Sequence, residues 1–170
     1  QNLQYIKKGT SSAESLTASF WVKSNKTGTY IVELFDADNS RMIQKSYTIS
    51  SADTWEKKTL TFAGDTTGAF DNDNALSLSI NFWLVAGSNF QGGLTTSWDT
   101  AGGSRAQGQV NLADSTSNYI NITGVQLEAG TSASDFEFLP IDVNLQRCQR
   151  YYEKIFNIGT TPANQVNDTP

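Results

Sequence analysis

The chain has 170 residues, with 12 Lys and Arg against 17 Asp and Glu, one Cys and no His. That length suits one domain able to bury roughly 70% of its unfolded surface without staples. The missing His excludes Ser-His-Asp and Cys-His hydrolases and histidine zinc sites, the lone Cys148 excludes an internal disulfide, and a net charge of −5 with scattered basic residues argues against nucleic acid.

Apolar residues recur with period two from the start, the signature of β-strands. Tyr5 and Ile6 are expected to open the first strand. Leu16, Ala18, Phe20 and Val22 then alternate with Ser15, Thr17, Ser19 and Trp21, and a turn signal follows at residues 24–28. Residues 29–35, 42–49, 55–62 and 76–86 read as further strands, with residues 36–40 a turn rich in Asp and Asn. Residues 109–112 read as a shorter strand, and residues 119–128 as a longer one. In the last, Ile120 and Ile122 are the apolar positions before Gly124, and Val125 and Leu127 after it. That change of phase predicts a β-bulge at the glycine.

The sum is an all-β fold of about eight antiparallel strands, a sandwich or jelly roll. At most one short helical turn is expected, over residues 142–149, with Asp142 as its N-cap after Pro140. Residues 87–108 form a long glycine-rich stretch, and loops of that length are often functional. Ser and Thr outnumber the charged residues, a composition suited to a β-rich extracellular or particle-surface domain. No apolar run approaches the ~20 residues of a membrane span. No secretory leader is visible, and a start at Gln1 is expected of a piece of a longer polypeptide.

Residues 120–154, with GVQLEAG, then DFEF, then LQRCQRYYEK, resemble the carboxy-terminal jelly-roll segment of tail-fibre and other virion surface proteins of tailed bacteriophages. Those domains look like carbohydrate-binding modules. More loosely, residues 16–65 resemble xylanase-type carbohydrate-binding jelly rolls, with SFWVKS, TYIVELFDAD, IQKSYTIS and KKTLTF in order. The resemblance implies a jelly-roll domain, a homotrimer, a place on the virion surface, and contact with host polysaccharide and other virion proteins. The domain is expected over residues 1–156, and residues 157–170, poor in apolar content, are expected to be a tail or linker or a strand that needs a neighbour. Neither catalysis, nucleic acid binding nor membrane insertion is expected from the residues.

The strand at residues 76–86 places Leu76, Leu78, Ile80, Phe82 and Leu84 on a core face and Ser77, Ser79, Asn81 and Trp83 on the other. By the same count Trp21 lies opposite Phe20 and Val22, and Tyr119 and Asn121 lie opposite Ile120 and Ile122. If these strands share one sheet, its outer face mixes aromatic rings with amides and hydroxyls. Rings cover the apolar face of a pyranose, and Asn and Ser bond its hydroxyls. Trp83, Trp21, Asn81, Tyr119, Asn121 and Trp98 are therefore the glycan-binding candidates. The alternative reading of the same surface is a subunit interface, or tryptophans covered by the long loop or the chain ends. Trp98 reads either as a stacking platform or as a plug that pins its loop, and Trp55 as edge packing.

No cofactor is expected. Calcium is the weaker alternative, with Asp71 and Asp73, or Asp36 and Asp38, as oxygen donors. A glycosidase needs two carboxylates facing one cleft, and nothing in the spacing joins two of Glu33, Glu128 and Glu137. Cys148 reads as a small buried hydrophobe. Arg147 and Arg150 read as a structural lock through Glu128, Glu137 or the adjacent tyrosines.

Overall fold

The computed structural model describes residues 3–73 and 75–149. Among these described residues seven strands, rather than about eight, run in chain order: β1 (Leu16–Ser24), β2 (Gly28–Asp36), β3 (Arg41–Ile49), β4 (Glu56–Phe62), β5 (Leu78–Trp83), β6 (Asp99–Thr100) and β7 (Ile120–Ala129). They form two antiparallel sheets, one of three strands ordered β4-β1-β7 and one of four ordered β5-β2-β3-β6. The expected strand at Tyr5 and Ile6 is instead a 3-10 turn, Gln4–Ile6. Residues 109–112 also fail to form a strand. They keep two isolated backbone bonds, Val110 N–H to Thr29 O and Leu112 N–H to Leu84 O, before a 3-10 turn at Leu112–Asp114.

The period-two pattern becomes two layers because each strand has one apolar face to hide. From β1 come Leu16, Ala18, Phe20 and Val22, from β2 Tyr30, Val32 and Leu34, and from β3 Ile43, Tyr47 and Ile49. These side chains meet between the sheets with Phe62 from β4 and, on β5, Leu78, Ile80 and Phe82. Phe20 sits at the centre, edge-on to both Tyr47 and Phe82 with ring centroids 5.1 Å apart. Burying one such ring fully contributes about 1.5–3 kcal/mol.

The bulge falls where the change of phase puts it. Between the pairs Ser19–Gln126 and Trp21–Thr123, β1 advances two residues and β7 three. Gly124 takes the left-handed conformation, φ 58°, that a side chain with a Cβ resists.

A second apolar layer was not visible in the strand pattern. Ile31 and Met42 point out of the four-stranded sheet, yet they are buried. The long segment between β5 and β7 covers them. Thr95 exchanges backbone and side-chain bonds with Gln44, at 2.7 and 2.8 Å, and Ala106 is fully buried. Beneath this strap lies the Glu33 carboxylate, fully buried and held by Gln44, Asn81 and Arg105 at 2.9, 3.1 and 3.3 Å.

One end of the sandwich is closed by charge. The Lys8 ammonium meets Asp36 at 2.5 Å and Asp65 at 3.1 Å, and it donates to the carbonyls of Thr67 and Gly68. Arg41 grips Asp65 in a two-pronged pair at 2.7 and 3.0 Å. Two cations thus face two carboxylates with every group hydrogen-bonded, the condition under which buried ions are tolerated.

The chain divides into two compact units, residues 1–135 and 136–170. The expected boundary after residue 156 lies outside the described residues. In the second unit, Phe136 and Phe138 pack edge-to-face at 5.0 Å, followed by the helix α1 (Ile141–Gln149). The helix begins one residue earlier than expected, so Asp142 lies in its first turn rather than at the N-cap. Cys148 is exposed, not the buried hydrophobe expected of it, because α1 buries none of its residues. Arg150 lies outside the described residues.

Candidate functional site

The six candidate residues divide between the two sheets. Trp21, on β1, pairs with Thr123 of β7, while Lys23 pairs with Asn121. Trp83 and Asn81 lie on β5, opposite Ile31 and Glu33 of β2, in the other layer. The common outer face on which all of them would meet therefore does not form. Trp21, Tyr119 and Asn121 come together; Trp83, Asn81 and Trp98 are elsewhere.

Beneath the strap, Trp83 and Asn81 face protein. The Trp83 ring lies 5.5 Å from Phe90, with its indole N–H buried and unpartnered. Asn81 donates to Glu33. Trp98 donates its indole N–H to Ala63 O at 2.7 Å, packs on the core, and has the Lys8 ammonium 5.5 Å from its ring centroid. These contacts pin the strap to the end of the sandwich.

The outer face of the three-stranded sheet is different. Half of it is covered, because the chain leaving β7 doubles back across it. Thr17 Oγ1 donates to Gly130 O, Thr61 Oγ1 to Thr131 O, and Ser134 bonds the Glu128 carboxylate through both its N–H and its hydroxyl. The Ser134 hydroxyl, and after it the Gln126 amide, hold the Glu128 carboxyl below the usual range.

Within the first unit, no described residue of the loop after β7 bonds across the other half. Trp21 lies on the central strand and is 41% exposed. Around it stand Lys23 on the same strand, Lys57 and Thr59 on β4, and Asn121 and Thr123 on β7. Trp55, 42% exposed, lies one residue before β4, where the register extended by one step sets it beside Lys23. The Lys23 ammonium is 5.7 Å from its ring centroid, a cation–π contact that fixes both groups.

Tyr119 closes the rim. Its phenol donates to Asp53, a bond that pushes the Tyr119 pKa up, and its backbone N–H donates to Asn25 Oδ1. Trp55, expected to pack at a strand edge, does stand just before edge strand β4 against Lys23, and it also shares the face of Trp21. Its period-two continuation through Lys57, Thr59 and Thr61, opposite Leu60 and Phe62, was the available signal.

This half-face offers two large rings lying among hydroxyl, amide and ammonium groups, a combination that suits a partly apolar, hydroxyl-rich ligand. It carries no paired carboxylates. Glu33 and Glu128 face outward from opposite layers, so they share no cleft. Of the calcium candidates, Asp36 is committed to Lys8, Asp38 accepts from Asp71 N–H, and Asp73 accepts from Ala75 N–H. Among the described residues no cluster of three or more Cys, Asp or Glu is placed to hold a metal ion. No family model, curated protein or solved structure matches the chain.

Proposed function

We propose that this domain is a non-catalytic surface module of a tailed-phage virion, contributing to attachment through weak, repeated contact with host glycans. The observation that carries the glycan half of this reading is the open half-face, with Trp21 and Trp55 each about two-fifths exposed beside Lys23, Asn121 and Thr123. Aromatic rings set together among polar groups on one sheet face are the kind of surface that takes a ligand. The phage half rests on the resemblance of residues 120–154 to virion surface proteins. A single site of this shallow kind binds weakly, and linked copies raise avidity by ~10² to 10⁴ where geometry permits.

The test is binding to host cells and extracted surface polysaccharide, comparing the parent with Trp21→Ala and Trp55→Ala. Both substitutions are at exposed positions, so folding should persist while binding falls at least tenfold. Unchanged binding in both variants refutes the assignment.

A purely structural role in assembly is favoured by another observation. Val125 and Leu127, on edge strand β7, are 43% and 38% exposed although Leu127 pairs with core-facing Ala18. Sedimentation of Leu127→Asp tests it: dissociation of an oligomer supports an assembly contact, and an unchanged state removes it.

A further inference from the structure

We infer that the glycan taken by the open half-face is anionic, a polysaccharide bearing carboxylate or phosphodiester groups along its length. This rests on the glycan reading above and specifies its substrate class. The protein as a whole is acidic, with a formal charge of −5. The half-face sets two of the chain's lysines beside Trp21, with Asp53 and Glu128 at its border. Lys57 is the cross-strand partner of Trp21, and Lys23 is its neighbour two residues along β1, so two lysines share the outer face with this ring.

Neither lysine forms a salt bridge among the described residues, in contrast to Lys8, Lys26 and Lys58, although Lys57 is near enough to Glu128 to help lower its pKa. The acids bordering the face are already engaged. Asp53 accepts from the Tyr119 phenol, and Glu128 accepts from the Ser134 N–H and hydroxyl. Those two cations are the ones an acidic ligand covering Trp21 would meet. Lys23 is also braced over Trp55, so less of its side-chain freedom remains to be lost on binding.

Diagonal neighbours on adjacent strands stand about 7–8 Å apart. Lys23 and Lys57 are such a pair, and that separation lets one ammonium meet an acidic group on each side of a sugar stacked on Trp21. A neutral glucan uses the ring but leaves both ammonium groups unanswered. Charge without sugar answers the lysines but leaves the rings bare.

The experiment measures binding of the full chain to alginate (a polyuronate), teichoic acid (a phosphodiester polymer), dextran (neutral) and inorganic polyphosphate (charge alone). Alginate or teichoic acid should bind at least tenfold more tightly than dextran and polyphosphate, and which of the two does so identifies the anionic group. Binding should weaken between 50 and 500 mM salt, since exposed charges are screened. Lys23→Gln with Lys57→Gln should lose that preference, binding alginate and teichoic acid no more tightly than dextran.

Equal binding of dextran and alginate, or an undiminished preference in the double variant, overturns the anionic assignment and leaves the glycan reading standing. Equal binding of polyphosphate shows charge attraction alone and overturns it as well. Retention of none of the four polymers overturns this inference, and the glycan reading then stands or falls on the host-polysaccharide assay.

Discussion

Two buried groups in this protein show opposite fates for polarity inside a sandwich. The Tyr47 hydroxyl lies between the sheets with no hydrogen-bond partner, and burial pushes its pKa far up. An unpaired buried hydroxyl costs about 1–3 kcal/mol, so removing it should help. Tyr47→Phe keeps the ring stack on Tyr30, 5.7 Å away, and is expected to raise stability by about 1 kcal/mol in urea unfolding. A loss of that size instead means the hydroxyl has a partner. Asp65 is the converse case. Burial alone would raise its pKa, but Arg41, the Thr67 N–H and Lys8 together hold it below the usual value. A carboxyl whose folded pKa is depressed contributes stability above its unfolded pKa of about 4, and loses it as pH falls through the folded value. Acid titration of unfolding should therefore steepen below about pH 4. Asp65→Asn should flatten that limb and cost about 3–5 kcal/mol at neutral pH, because it leaves Lys8 and Arg41 short of a counter-charge. The Asn side chain keeps the shape, so a neutral substitution contradicts the account.

Among the elements, the strap between β5 and β7 decides which sheet face is available. It lies on the four-stranded sheet through Thr95, Phe90 and Arg105, the last reaching the fully buried Glu33 and stacking over Phe35 at 5.5 Å. Arg105→Ala strands that carboxylate and is expected to cost about 3–5 kcal/mol. Amide hydrogen exchange should quicken across residues 87–108 while β1 and β7 keep their protection. Uniform exchange across both sheets would show that the strap is not a separable element. The same elements show what a sequence reveals and what it withholds. Alternation assigned Phe20 and Trp21 to opposite faces, and the change of phase at Gly124 located the bulge, because both are local consequences of the pleat. Alternation is silent on which strands are neighbours. Trp83 and Trp21 have the same outward parity, yet β5 joins β2 in one sheet and β1 joins β7 across about a hundred residues in the other. Strand β6, only two residues long, was invisible for a related reason: Asp99 and Thr100 carry no pattern, and pairing with Arg41 and Met42 creates the strand.

On the scale of the whole molecule, two sheets give two outer faces, and the chain spends its long loop on one of them. Among the described residues, the half-face around Trp21 leaves two rings, Trp21 and Trp55, in part to solvent beside Lys23. That asymmetry leaves Trp21 and Trp55 exposed and sets Trp83 beneath the strap, a division that residue alternation does not carry because it depends on where the strap lies. It also gives a direct assay, because the four tryptophans supply four indole N–H reporters in known environments. The decisive measurement is a titration of the isotope-labelled protein with host surface polysaccharide, followed through the indole N–H resonances. The Trp21 and Trp55 signals should shift together with ligand, while those of Trp83, beneath the strap, and Trp98, bonded to Ala63, stay in place. Movement of Trp83 and Trp98 with Trp21 unmoved, or no movement at saturating polysaccharide, would contradict the assignment of this face.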